Sequence, residues 1–130
     1  MTEFIEDTAV VEAAHALVLD QWGGMPGTRD EGAIAAALYR PINKAQYGDP
    51  APDLFSLGAA YAYGLVKAHG YLDGNKRTAW AVCAAFLRLN GYVVVADDMD
   101  KFRAVISLVT DAMTEEEFAD WARKRAQPLP

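Results

Sequence analysis

The sequence has one cysteine, no long apolar run and no excess of positive charge. Each shortage excludes something. Cys83 has no second cysteine to pair with, so no internal disulfide forms; it lies in the apolar run 79–89, where burial is expected rather than reactivity. No uninterrupted apolar stretch is long enough to span a bilayer, so no membrane partner is expected. The start, Met1-Thr2-Glu3, lacks the basic residues of a signal peptide, and a cytoplasmic protein is the expectation. The net charge of −6 repels phosphate backbones, so direct nucleic-acid binding is not expected. Repeats and low-complexity segments are also missing, and no domain boundary is visible.

What is present is a chain of 130 residues, 52% apolar, enough for one folded domain over 1–130 with a modest core. The pattern is nearly all helical. Val10, Val11, Ala14, Leu17 and Val18 recur at helical spacing until Gly23-Gly24. Thr28 and Glu31 have capping-box spacing and open a second helix, which Pro41 is expected to stop. The stretch 41–52, with Asn43, Gly48, Asp49, Pro50 and Pro52, then reads as an extended loop. Asp53 caps a third helix whose buried stripe is Leu54, Leu57, Tyr61, Leu65 and Ala68. A fourth helix, 78–90, is apolar nearly all round and is expected at the centre, with Asn90-Gly91 as its C-cap. Val93-Val94-Val95 fits either a lone strand or a buried connection. Asp97 or Asp98 caps a fifth helix with Phe102, Val105, Ile106 and Val109 on one face, and Thr114 with Glu117 boxes a sixth bearing Phe118, Trp121 and Ala122. The expected fold is all-α, about six helices around a central one.

The chemistry is concentrated in residues 69–77, His-Gly-Tyr-Leu-Asp-Gly-Asn-Lys-Arg. An imidazole, a carboxylate, an amide and two cations fall in one loop that feeds a helix N-terminus, where free N–H groups and the dipole attract anions. An imidazole can take a proton from an attacking hydroxyl, so His69 suits a general base; it also suits a plain helix C-cap. Asp73 suits a magnesium ligand beside phosphates, and equally an ordinary Asp-Gly turn. Gly74 allows close backbone approach, and Asn75 is either a donor to a ligand or a cap. Lys76 and Arg77 sit where the helix dipole disfavours cations, a cost that a bound anion would offset. His15, inside an amphipathic helix, reads as structural.

These residues resemble the signature of the Fic/Doc superfamily. The Fic branch reads His-x-Phe-x-Asp/Glu-Gly-Asn-Gly-Arg-x-x-Arg, matched here at His69, Asp73, Gly74, Asn75 and Arg77, with Tyr71 for the aromatic. Lys76 and Trp80 depart from it, and both departures resemble the Doc (death-on-curing) branch, whose run Asn-Lys-Arg-Thr-Ala is reproduced at 75–79. The segments 29–41 and 86–91 extend the likeness over roughly residues 5–125. Gly70 stands where many relatives have Pro.

The resemblance implies a compact single-domain helical fold with the motif between two central helices. It implies ATP and Mg²⁺ as substrate and cofactor, His69 as catalytic base, Asp73 as metal ligand, and Gly74, Asn75, Lys76 and Arg77 as phosphate binders. For the Doc branch it implies phosphorylation of a hydroxyl on elongation factor Tu, arrest of translation, and restraint by a Phd-type antitoxin whose C-terminal segment lies in a groove. Such systems belong to bacteria, phages and plasmids. The loop 41–52 corresponds to the Fic flap that docks the target, with Asn43, Lys44, Gln46 and Tyr47 as contacts; a plain surface connection is the alternative. Two other functions compete. One is adenylyl transfer, as in the Fic branch. The other is a non-catalytic binding module with a drifted motif. Thr8 and Glu12 approach the Fic self-inhibitory helix pattern, but Ala13 breaks it, and the match is read as coincidence.

Overall fold

Five of six helices begin on a side chain that accepts one of the N–H groups a helix start leaves unpaired. Asp7 caps α1 (Thr8–Trp22), Asp30 caps α2 (Glu31–Tyr47) and Asp53 caps α3 (Leu54–Ala68). Asp97 caps α5 (Asp98–Val109), and Thr114 with Glu117 forms a complete capping box on α6 (Glu115–Arg125). The exception is α4 (Asn75–Leu89), whose N-cap is Gly74 and which has no side-chain cap. The computed structural model describes residues 1–130.

α3 is enclosed on nearly every side: Ser56 to Ala62 and Gly64 to Val66 are all buried. Two glycines make this possible. A Cβ on Gly58 would lie 3.2 Å from Leu87 Cδ2, and one on Gly64 would lie 3.4 Å from the Ala37 Cβ, so α4 and α2 close on α3 at these points. The Tyr61 side chain is fully buried, and its hydroxyl both accepts from Ile5 N–H (2.8 Å) and donates to Ile5 C=O (3.0 Å), tying the N-terminal segment to the core. Tyr61, Phe86, Leu38, Leu87, Val82, Val105, Leu108 and Phe118 fill that core.

α4 packs beside α3 through Thr78, Ala79, Val82, Cys83, Phe86 and Leu87, while Ala85, Arg88 and Leu89 are exposed. The centre expected of α4 is thus held by α3 and α4 together, with α3 the more enclosed. Burial pushes the Cys83 thiol up to about 12, so it stays protonated and inert. No helix is long and apolar enough to cross a membrane.

Four local expectations are corrected. Pro41 does not stop α2, which runs on to Tyr47. A proline forfeits one helical hydrogen bond and crowds the carbonyl four residues back. Tertiary contacts outweigh that cost: Pro41 is buried, Arg40 stacks 4.7 Å from the Tyr63 centroid and pairs with Glu115 at 2.6 Å, and Lys44 pairs with Glu115 at 2.9 Å. The loop expected over 41–52 therefore shrinks to the residues between α2 and α3. Thr28 does not cap α2; Asp30, an equally strong cap nearer the helix, takes Ala33 N–H at 2.9 Å, and Thr28 instead forms a bridge with Tyr71. On α1 the buried positions are Val11, His15 and Val18, spaced on one face, whereas Val10 and Leu17 are exposed. Finally, Val93 and Val94 are not a lone strand: β1 (Tyr92–Val94) pairs antiparallel with β2 (Ala126–Pro128), with Tyr92 opposite Pro128. Ala-Gln-Pro carries no strand pattern, and the proline is tolerated because a two-stranded ribbon has only edges.

Candidate active site

The motif loop lies between the C-terminus of α3 and the N-terminus of α4, and its backbone is anchored from three directions. Gly70 C=O accepts from Arg29 N–H (2.7 Å) and Asp30 N–H (3.0 Å), and Leu72 N–H donates to Gly27 C=O (3.0 Å). Across the loop, Tyr71 N–H donates to Asn75 Oδ1 (3.0 Å) and Asn75 Nδ2 donates back to Tyr71 C=O (2.8 Å). From α1, His15 Nε2 meets the Asp73 carbonyl at 2.8 Å. A carbonyl only accepts, so the proton sits on Nε2. The His15 ring also stacks on Tyr71. Gly70 fits because α2 passes directly beneath it: a Cβ there would lie 2.2 Å from Ile34 Cγ1.

His69 ends α3 in the left-handed region, with φ 47° and ψ 48°, a conformation that costs a non-glycine residue about 1 kcal/mol or more and is concentrated at functional sites. Its side chain is exposed and free of hydrogen bonds to the rest of the chain. The ring is thus open to a hydroxyl from outside.

Asp73 is exposed and accepts from Met25 N–H through Oδ2 (3.1 Å) and from Gly74 N–H through Oδ1 (2.9 Å). These two backbone donors, Met25 first, hold its carboxyl below the usual range, and Lys76 and His15 add smaller contributions. It is ionised at neutral pH, and each oxygen keeps a lone pair for a cation. The donor set fits a hard ion such as Mg²⁺, which takes one or two carboxylates and completes its shell with water and phosphate oxygens. No group of three or more His, Cys, Asp or Glu side chains stands ready to hold a metal ion.

Gly74 turns the chain into α4 with φ 78°. The first backbone bond of the helix is Thr78 N–H to Gly74 C=O (3.0 Å), so the N–H groups of Asn75, Lys76 and Arg77 are left without partners in the helix. The first turn contains no acidic residue. Positive potential from the dipole and from Lys76 therefore accumulates here.

The structure brings His69, Asp73, Gly74, Asn75, Lys76 and Arg77 onto one loop and one helical turn. Two of them have further engagements. The Asn75 side chain is committed to closing the loop, leaving its backbone N–H for a ligand. Arg77 points into a groove of about 270 Å³ between α1, α4 and α5, walled by Trp22, Trp80 and Phe102. Asn43, Lys44, Gln46 and Tyr47 belong to the last turns of α2 rather than to an extended loop. Asn43, Gln46 and Tyr47 are exposed there, but Lys44 is bound to Glu115 and Ser56 C=O (3.3 Å).

Sequence reading missed the residues that hold the loop. His15 was visible as the one polar residue on a buried helical face. Met25, Gly27, Arg29 and Asp30 act through backbone atoms, which leave no side-chain signal.

A family model described as the Fic/DOC family matches residues 6–87. The chain is 37% identical over 102 residues to Toxin Doc of Mycolicibacterium smegmatis, covering 78% of this chain and 75% of that protein. It is 31% identical over 112 residues to Protein kinase doc of Escherichia phage P1, covering 86% of this chain and 87% of that one. The chain belongs to the Doc branch of the Fic/Doc family. Within this Fic/Doc chain, Lys76 stands on the exposed side of the α4 start and Trp80 packs edge-on against Trp121 (5.9 Å between centroids). The second arginine of the Fic signature is thus replaced by a member of an aromatic cluster.

Proposed function

We propose that this chain is a Doc-type toxin that transfers the γ-phosphoryl group of ATP to a hydroxyl of elongation factor Tu and so halts translation. The observation that carries this reading is the uncapped, cationic start of α4 placed on the same loop as an unengaged His69. Membership of the Doc branch and the names of the two relatives, Toxin Doc and Protein kinase doc, support it.

In this reading the target hydroxyl hands its proton to His69 as its oxygen forms a bond to the γ-phosphorus. The bond from that phosphorus to the β–γ bridging oxygen breaks, and ADP leaves with the electron pair. The backbone N–H groups of Asn75, Lys76 and Arg77, with the cations of Lys76 and Arg77, stabilise the equatorial oxygens; loss of one such donor would cost about 3 kcal/mol in the barrier. Asp73 would hold Mg²⁺, which neutralises phosphate charge when bound. Lys76 favours terminal phosphoryl transfer over adenylyl transfer, because a lysine fills the space that glycine leaves open in the Fic signature and neutralises a single terminal group. Asn43, Gln46 and Tyr47 are exposed and offer the target-docking contacts.

The partner expected is a Phd-type antitoxin. The groove between α1, α4 and α5 suits its C-terminal segment, and the exposed Trp22 offers it an apolar contact there. The test uses purified protein, Mg²⁺ and elongation factor Tu with γ- or α-labelled ATP, beside His69→Ala and Lys76→Gly variants. Label from γ-ATP alone, lost in His69→Ala, is expected. Label from α-ATP would mean adenylyl transfer and overturn the role given to Lys76.

A further inference from the structure

Arg77 makes contacts unlike those of the other engaged arginines. Arg40, Arg103 and Arg123 pair with carboxylates, and Arg125 donates to Trp121 C=O. Arg77 enters no ion pair in the structure. Its guanidinium carbon lies 4.2 Å from the centroid of Trp22 and 4.6 Å from that of Phe102. Trp22 closes α1 and Phe102 lies in the first half of α5, so two elements distant in sequence meet on this one group. Stacking attracts a cation to the ring faces and fixes the plane of the guanidinium, yet it uses none of the five edge N–H donors. A half-buried arginine with its plane held and its donors unspent is an anion receptor organised in advance of its ligand.

The groove that holds Arg77 adjoins the motif loop. Val18 lines the groove, and a Cβ on Gly74 would lie 3.4 Å from its Cγ1. Lys76 lines it as well. The edge donors of Arg77 and the free N–H groups at the start of α4 therefore belong to one neighbourhood.

We propose that Trp22 and Phe102 are positioning residues for phosphate binding, which hold the Arg77 guanidinium by its two aromatic contacts so that its edge presents donors to a phosphate oxygen of the nucleotide. This rests on the phosphotransfer reading above. Neither ring touches the reacting atoms. Both act through Arg77, so their effect is specific to phosphate and vanishes when Arg77 is removed.

The test is calorimetric titration of ATP with Mg²⁺, and of adenosine as a control, into the full chain and its Trp22→Leu, Trp22→Phe, Phe102→Leu and Arg77→Ala variants. Loss of a partly desolvated cation–π contact predicts ATP binding about tenfold weaker in Trp22→Leu and in Phe102→Leu, with Trp22→Phe within about twofold of the parent. Adenosine affinity and the thermal midpoint stay unchanged, and Trp22→Leu adds nothing in the Arg77→Ala background. If Arg77→Ala weakens ATP binding but neither leucine variant does, the positioning role is overturned and the phosphate reading stands. If Arg77→Ala leaves ATP binding intact, the phosphate role of Arg77 falls and the positioning role with it. Tighter ATP binding in Trp22→Leu would mean that the rings withhold Arg77, which also overturns the proposal. Should Trp22→Leu unfold, Trp22→Phe and Phe102→Leu decide the matter alone.

Discussion

The His15 imidazole lies flat on the Tyr71 ring, with centroids 3.7 Å apart and planes 8° from parallel, while its Nε2 holds the Asp73 carbonyl at 2.8 Å. One side chain of α1 thus grips the motif loop at two residues, one of them the expected metal ligand.

Replacing His15 by Ala is expected to cost about 2–3 kcal/mol, from a lost buried stack and an Asp73 carbonyl left without its donor. The loop should loosen around Asp73, so Mg²⁺ dependence of activity should shift to higher concentration. Thermal unfolding and a Mg²⁺ titration check this. A variant with parental stability and an unchanged Mg²⁺ curve would show that the grip does not matter.

Tyr71→Phe goes the other way. The Tyr71 ring is buried, its Oη has no hydrogen-bond partner, and burial raises the phenol pKa with help from the charges of Glu12 and Glu31. Removing an unpaired buried hydroxyl is expected to be neutral or to stabilise by up to about 1 kcal/mol. Phenylalanine is also the aromatic of the Fic signature. Chemical denaturation gives the answer, and a loss above about 1 kcal/mol would reveal a partner for Oη.

Pro41→Ala tests whether α2 is continuous. Inside a helix, alanine regains a hydrogen bond to Ala37 C=O and removes a steric conflict worth about 3 kcal/mol, less the packing that the buried ring provides. A net gain of about 1 kcal/mol is expected, read as a higher denaturation midpoint. Were residues 41–52 an extended loop, the substitution would be neutral or destabilising.

Asp53 caps α3 and pairs with Arg123, Nε to Oδ2 at 2.8 Å and Nη2 to Oδ1 at 2.9 Å. The Arg123 hydrogen bonds foremost, and Ser56 N–H after them, hold its carboxyl below the ordinary 3.8, against an opposing effect of burial. A group depressed in the folded state stabilises fully above its unfolded value and loses that stabilisation as pH falls through the folded one. Asp53→Asn keeps an oxygen to cap α3 but loses the charge, so it should cost about 0.5 kcal/mol at neutral pH, a small value because solvent screens the exposed pair with Arg123. The gap to the parent should narrow below 3.8. Thermal unfolding from neutral to acid pH measures it, and a gap constant down to about pH 2 would contradict it.

Most of the helical framework was legible because apolar spacing and caps are written in single residues: Asp53 before α3, Thr114 and Glu117 at α6, and the all-round apolar α4. Pro41 misled because a strong local rule lost to contacts of Arg40 and Lys44 with residues far along the chain. The β1–β2 ribbon was hidden because Ala126-Gln127-Pro128 pairs through its backbone and position. The motif was legible as a cluster of side-chain types. Its geometry was not: nothing in the sequence says that Asn75 would close the loop or that Arg77 would lie between Trp22 and Phe102.

Residues 70–74 form no helix or extended strand, yet seven of their ten backbone polar groups are spoken for. Gly70 C=O, Tyr71 N–H and C=O, Leu72 N–H, Asp73 C=O, and Gly74 N–H and C=O all have partners. Ordering a free loop residue costs about 1–2 kcal/mol of conformational entropy, and here that cost is met during folding. A ligand arriving at the loop has little disorder left to remove. Its affinity should then follow the charge and fit of its phosphates, and its arrival rate should follow diffusion and ionic strength rather than a slow closing motion. The bonded amides of Tyr71 and Leu72 should also exchange with solvent more slowly than those of an unanchored loop.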